Sequence, residues 1–350
     1  MRLIHINKEK KVGKTVLEVH NLKTYFYLDE GILKAVDGAS FKVGEKKTLG
    51  LIGESGSGKS VTAQSILRIV PRPGKIISGE ILLQRKNSES ILNITQIDLK
   101  SNDIRKLRGK EVSMIFQEPM TSLSPVHTVG NQIMEAIYYH DTRDKKVARE
   151  IALDMLDKVG ISNPQHRINE YPHHLSGGLR QRVMIAMALV CKPALLIADE
   201  PTSALDVTVQ AQILDVIKDL QEKMGMSILY ITHNLGVVAE IADEVAVMYL
   251  GRIVEYGKTI NIFKKPQHPY TARLLKAIPK IGGNAKDRLD TIKGTVPVPI
   301  NRPRECGFYS RCDNAIEGIC NKEVPVLNQI EKGHLVRCFL HSNKKEIADE

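Results

Sequence analysis

Eight consecutive residues, Gly53-Glu54-Ser55-Gly56-Ser57-Gly58-Lys59-Ser60, follow the pattern G-x-x-x-x-G-K-[ST]. Glycines in such a loop let successive backbone N–H groups converge on phosphate oxygens without Cβ clashes. A helix opening at Ser60 and Val61 adds its positive dipole end. Lys59 is placed to reach β- and γ-phosphates, and Ser60 to ligate Mg²⁺. A second element, Ala194 to Glu200, is an apolar run ending in two acids. Asp199 at the end of a buried strand can hold the Mg²⁺ shell, and Glu200 can orient an attacking water. Each element has a plain alternative, a Gly-rich turn in one case and a solvated charge pair in the other. Together in one chain they point to nucleoside triphosphate chemistry.

The loop does its chemistry only between a strand and a helix. Short apolar runs lacking alternation recur at Lys47–Ile52, Val112–Phe116, Ala194–Ala198 and Ser227–Ile231, which suits a parallel sheet covered on both faces. After Asp206 the apolar residues Val209, Ile213, Val216, Ile217 and Leu220 have helical spacing, with Gly225 as a stop. Leu17–Val19 and Ala39–Val43 alternate, as an antiparallel flank would. Glu244–Tyr249 and Arg252–Glu255 predict a hairpin. Between about 121 and 180 the helical patterns Ile133–Tyr138 and Ala148–Val159 replace strand signals, so a helical insertion in an α/β core is expected.

Composition bounds the rest. A chain of 350 residues favours about two domains. The net charge of +10 invites an anionic partner, nucleic acid or a lipid surface, but only 5% aromatics and no Trp speak against a base-stacking platform. No apolar run approaches the ~20 residues that span a bilayer. The N-terminus lacks the apolar core of a secretory signal, so a reducing cytosolic setting is expected. There, Cys306, Cys312, Cys320 and Cys338 read better as metal ligands than as a disulfide framework. Their spacing lacks the tight pairs of structural zinc, and four thiolates match the ligand count of a [4Fe–4S] cluster. Zinc, free thiols and a disulfide stay open. Cys191 stands alone and reads as buried packing.

Leu175-Ser176-Gly177-Gly178-Leu179-Arg180-Gln181-Arg182 lies about 20 residues before the two acids. With the phosphate loop and the segment Asp199 to Asp206, it resembles the ordered motif set of ATP-binding-cassette (ABC) ATPases over about 17–257. Leu179 stands where many members carry Gln. The resemblance implies an α/β P-loop NTPase fold of the ABC-ATPase type, with a mostly parallel core, an antiparallel β flank and a helical subdomain. It implies that Gln117 is the glutamine that contacts Mg²⁺ or the lytic water and senses the membrane subunit. It makes Glu200 the catalytic carboxylate, and His233 the switch histidine at the γ-phosphate. Asp206 falls on the dimer seam, and Phe26, with Tyr25 as the alternative, stacks on adenine. Most relatives have Asp where Asn234 follows the histidine. Taken singly, Gln117 is a plain strand cap and His233 or Phe26 a core residue. Two cassettes are implied to pair head to tail, with Ser176, Gly177 and Gly178 of one closing on ATP at the other's Lys59.

His268-Pro269-Tyr270-Thr271, Gly294-Thr295-Val296-Pro297, Arg302-Pro303 and the cysteines resemble the C-terminal extension of peptide-importer ATPases, as does Glu118 to Pro125. This implies residues 1–16 as an N-terminal extension, 17–265 as the cassette and 266–350 as a small, irregular, metal-stapled extension. It also implies ATP, Mg²⁺ and a [4Fe–4S] cluster as cofactors. The partners implied are a second ATPase subunit in a heterodimer, two transmembrane permease subunits and an extracytoplasmic peptide-binding protein, at the cytoplasmic face of the membrane. The alternatives are nickel or glutathione import, or a cassette in DNA repair or translation. Non-transport cassettes usually carry two cassettes or a long coiled coil, and this chain has neither.

Overall fold

The computed structural model describes residues 14–86, 90–117, 122–203, 205–277, 292 and 294–342. Glu118 to Thr121, Ala204, Pro279 and the first thirteen residues of the expected N-terminal extension lie outside these.

Among the described residues, twelve strands form two sheets. The first has the order β2(Gly31–Gly44)–β1(Thr15–Leu28)–β4(Gly74–Gln84)–β5(Ile91–Asn93), antiparallel throughout. The second has the order β11(Asn328–Glu331)–β12(His334–Val336)–β10(Arg252–Lys258)–β9(Glu244–Tyr249)–β3(Thr48–Ile52)–β8(Ser227–Ile231)–β7(Leu195–Asp199)–β6(Val112–Ile115). From β9 to β6 every pair is parallel. All five residues of β3, β7 and β8 are buried, which is why their sequences are unbroken apolar runs rather than alternating ones. The alternating segments near residues 17 and 39 lie within β1 and β2, which pair along most of their length.

Helices 129–140, 145–158 and 177–189 cover one side of β6 and β7 and share a core containing Ile133, Met155, Leu156, Val183 and Ile185. Helix Val207–Met224 buries Ile213, Leu214, Ile217 and Leu220 on one face and stops at Gly225 with φ 63°. Only Gly adopts that left-handed C-cap without steric cost. Among the described residues, no helix is long and apolar enough to cross a membrane.

After helix Pro269–Lys276 the C-terminal segment is poor in regular elements, yet it is tied to the cassette at three places. Strand β12 pairs with β10 at Glu255↔Val336 and Tyr256↔Leu335. The strap around Pro299–Asn301 pairs with the start of β2, through Lys34 N–H to the Pro299 carbonyl (3.1 Å) and Asn301 N–H to the Ile32 carbonyl (3.1 Å). Tyr270 and Phe308 join Tyr249, Val247 and Ile52 in one apolar cluster. Beneath it, the fully buried Glu255 carboxylate accepts from Gln267 N–H (2.8 Å), His268 N–H (3.0 Å) and the His334 ring (2.8 Å). These contacts tie the extension to the cassette through protein groups alone.

Among the described residues no group of three or more His, Cys, Asp or Glu is set to hold a metal ion. The four C-terminal thiols are nevertheless neighbours. Cys306 N–H donates to the Cys320 carbonyl at 2.8 Å. Burial pushes the Cys338 thiol up to about 12, and Cys306, Cys312 and Cys320 add to the rise. Burial likewise raises Cys306 and Cys312. A metal would need these groups as thiolates. Cys191 packs against the helical core, its pKa raised to about 11 by burial.

Candidate nucleotide site

The carboxyl ends of four adjacent strands, β3, β8, β7 and β6, open onto one edge of the sheet. Ligands of open α/β sheets bind at this edge. Strand β3 leads into Gly53, β8 into His233, β7 into Asp199 and Glu200, and β6 into Gln117.

The phosphate loop is held from below. A Cβ on Gly53 would sit 2.2 Å from the Met248 carbonyl, and one on Gly58 (φ +103°) 2.2 Å from the Ala35 carbonyl. Neither position admits a side chain. Around Gly56 nothing lies within 4 Å of a built Cβ, so the concave side is open. Gly251 N–H donates to the Ser57 carbonyl (2.8 Å), fastening the loop to the β9–β10 turn. Lys59 folds back onto its own loop, donating to the carbonyls of Gly53 (2.8 Å) and Glu54 (3.0 Å). Burial lowers its pKa, opposed by the charges of Glu200, Asp199 and Glu54. Phosphate oxygens are stronger acceptors than those carbonyls, so the cation is poised to move.

Asp199 is 4% exposed and its Oδ1 has no hydrogen-bond partner. Burial raises its pKa, opposed by a hydrogen bond with Ser60. A buried carboxylate oxygen left unsatisfied beside a serine hydroxyl fits a hard, oxygen-seeking cation, and Mg²⁺ meets that description.

Glu200 is the hub of a three-residue network. Gln117 Nε2 donates to one carboxylate oxygen at 3.0 Å, and His233 Nδ1 bonds the other at 2.9 Å. The glutamate backbone has φ 47°, a conformation that non-glycine residues adopt at a cost of about 1–3 kcal/mol. Its N–H is anchored to the Ile231 carbonyl at 2.8 Å, so the strained turn is held by the neighbouring strand. Asn234 caps helix Leu235–Ile241 by accepting from Gly236 and Val237 N–H, so the amide does the capping work that a carboxylate would.

Other expected site residues lie apart from this cluster. Ser176 caps helix Gly177–Leu189 and accepts from Leu179 N–H, while Cβ atoms built on Gly177 and Gly178 would meet Leu205 and Val209. Among the described residues, no hydrogen bond joins Ser176, Gly177 or Gly178 to the phosphate loop. Asp206 caps the next helix through Val209 N–H (2.9 Å). Phe26 is half-buried opposite Gly74, whose built Cβ would be 2.7 Å from its ring. Tyr25 donates to Asp37 at 2.6 Å, and Arg252 pairs with the same carboxylate at 2.7 Å. That hydroxyl is committed to the Asp37–Arg252 group, and Lys34 Nζ lies over the Tyr25 ring, 5.9 Å from its centroid.

Two residues of the loop's surroundings carry no signal of their role in sequence. Glu54 N–H donates to the Tyr270 hydroxyl (2.9 Å), and the Glu54 carboxylate receives a fork from Arg311. Tyr270 stands in a recognisable His-Pro-Tyr-Thr segment; Arg311 is marked by nothing but its place beside Cys312.

A phosphate cradle, an unsatisfied buried Asp and a Gln–Glu–His network on adjacent strand ends define an ATP-binding cassette. Residues 36–203 match the ABC transporter family model, and residues 254–320 match that of the oligopeptide/dipeptide transporter C-terminal region. The fold resembles cbiO1 from Clostridium perfringens, part of the ABC transporter complex cbiONQ (TM-score 0.60, 26% identity, 72% of this chain and 92% of that one). A dimeric bacterial ABC transporter cassette shares the fold at a TM-score of 0.60 and 24% identity, covering 69% of this chain and 98% of that one. The oligopeptide transport ATP-binding protein AppD of Bacillus subtilis is 51% identical over 94% of this chain and 98% of its own length. The dipeptide transport ATP-binding protein DppD of the same species is 45% identical over 95% and 97%. The chain belongs to the family of oligopeptide/dipeptide ABC transporter ATP-binding subunits.

Proposed function

We propose that the chain binds Mg·ATP between paired cassettes and hydrolyses it to ADP and phosphate, driving import of di- or oligopeptides through separate permease subunits. The observation that carries this is the convergence of Lys59, Asp199, Glu200, Gln117 and His233 on four adjacent strand ends, in a chain whose C-terminal region matches the peptide-transporter family. Backbone N–H groups of Gly53–Val61 cradle the phosphates, and Lys59 leaves the loop carbonyls for the β- and γ-phosphates. Asp199, Ser60 and Gln117 hold Mg²⁺, which supplies charge neutralisation at the phosphates. Glu200 accepts a proton from the attacking water, whose oxygen bonds the γ-phosphorus as the bond to ADP breaks. His233 orients that carboxylate and contacts the γ-phosphate, and Phe26 packs on adenine.

Ser176, Gly177 and Gly178 lie away from their own phosphate loop and serve the partner cassette, with Asp206 near the seam. The partners are a second ATPase subunit in a heterodimer, two permeases and an extracytoplasmic peptide-binding protein, with this subunit at the cytoplasmic membrane face. In proteoliposomes holding the complete transporter, labelled dipeptide uptake should require ATP. ATP-dependent uptake of a nickel chelate or glutathione in place of peptide would overturn the peptide reading and leave the ATPase intact.

We further propose that Cys306, Cys312, Cys320 and Cys338 hold a [4Fe–4S] cluster in the cell. Supporting this, the thiols of one small lobe lie near enough to raise one another's pKa. Closing on a cluster requires their deprotonation and a shift from the packed thiol arrangement. Protein purified anaerobically should be brown, with iron and sulfide at about 4:4. Colourless protein with one equivalent of zinc would refute the cluster.

A further inference from the structure

The ion pair between Arg311 and Glu54 joins residues 257 positions apart. Arg311 belongs to the C-terminal extension, one residue before Cys312. Glu54 is the second residue of the phosphate loop. The guanidinium makes two bonds to the carboxylate, Nη1 at 2.8 Å and Nη2 at 3.0 Å. It is only 5% exposed, and it also donates to the Gly294 carbonyl (3.2 Å) and the Tyr249 hydroxyl (3.3 Å). Its plane lies near the Tyr249 ring, 5.8 Å from the centroid. A planar fork satisfied on several sides is a geometry that Arg supplies and Lys does not.

Glu54 is held at three points. Its side chain is on Arg311, its N–H on the Tyr270 hydroxyl, and its carbonyl accepts from Lys59 and from Ser57 N–H. When Lys59 turns to phosphate, one of the carbonyl's two donors leaves. The hold from the extension, through Arg311 and Tyr270, stays.

We infer that Arg311 is a positioning residue for the nucleotide site: by clamping Glu54, the C-terminal extension keeps the phosphate cradle in its binding shape. The inference rests on Mg·ATP being the ligand of this loop. It makes the extension a contributor to ATP affinity.

The test uses the full-length chain, with Mg·ATP affinity by calorimetry and steady-state ATPase kinetics. Arg311→Ala should raise the Mg·ATP Kd and KM about 10-fold and change kcat less than about 3-fold, the pattern of lost binding rather than lost chemistry. Arg311→Lys should recover only part of the affinity. Glu54→Gln should behave like Arg311→Ala, and the double variant should be no worse than either single one, because both remove one contact. Should Arg311→Ala not fold, the Arg311→Lys and Glu54→Gln variants carry the test. Unchanged affinity in the folded variants, a fall in kcat with Kd unaltered, or fully additive single effects would overturn the clamp. Failure of the wild-type chain itself to bind Mg·ATP would instead overturn the functional reading.

Discussion

Glu200→Gln should lower ATP turnover by ~10²–10⁴-fold, the usual contribution of a positioned general base, while ATP stays bound. Glutamine has the size and shape of the glutamate it replaces. Its carbonyl oxygen can still accept from Gln117, and the strained backbone at φ 47° is untouched. What is lost is the capacity to take a proton from water. A negative charge that would face the γ-phosphate is removed as well, so the ATP-bound pair of cassettes should persist rather than reopen. Single-turnover hydrolysis and retention of labelled ATP on a sizing column measure the two effects. Turnover equal to wild type would show that Glu200 only braces Gln117 and His233. The network gives that outcome a concrete meaning, since Glu200 holds both neighbours in place at 3.0 and 2.9 Å.

Lys59→Ala acts one step earlier, on binding. In the fold the ammonium is buried, 7% exposed, and satisfied by two carbonyls of its own loop. Moving from neutral carbonyls to anionic phosphate oxygens adds ion-pair attraction to bonds that already carry a charged donor, and hydrogen bonds to charged groups are worth ~1.5–3 kcal/mol each. With two phosphates served, Mg·ATP affinity should fall by on the order of 10²-fold or more, and hydrolysis with it. Calorimetric titration checks this, and normal affinity would take the loop out of the mechanism. The two variants separate cleanly: Glu200→Gln keeps ATP without hydrolysis, and Lys59→Ala loses it.

The strand ends that make the site were legible because short-range physics writes them. Buried parallel strands must be apolar on both faces, so β8 and β9 coincide with their sequence patterns, and β3, β6 and β7 differ from theirs by one residue at one or both ends. Strand β10 runs three residues past its expected end at Glu255 because its far half is paired to the extension and to β9. Strands β4 and β5 left too weak a pattern to read. β4 is half-exposed for much of its length, and β5 is three residues long. Strands β11 and β12 are short additions to the sheet edge, stable only because β10 is already there.

Within the site, residue types and spacing pointed to the phosphate loop and the two acids, since glycine at fixed offsets and acids at a strand end have few other uses together; Gln117 and His233 stood out only through the family resemblance. Spacing could not show that Gln117 and His233 meet on the same carboxylate; the parallel order β3–β8–β7–β6 brings them there. Nor could it show that Tyr25, beside Phe26 in β1, donates to Asp37. The four cysteines suggested that a metal holds the extension together. The fold adds a paired strand, a strap on β2, a buried Glu255 and an aromatic cluster that tie it to the cassette.

The sequence by itself determined the phosphate chemistry, because the loop and the paired acids are local requirements of backbone sterics and charge, and its resemblance to a known family carried the cassette and the peptide-transporter extension. The tertiary structure alone decided which residues act as one unit. Arg311 and Glu54 carry no local pattern linking them, and only folding puts the extension against the phosphate loop. Side-chain contacts across 257 positions cost chain entropy that only the assembled core can offset, and nothing in the spacing of either residue records that cost.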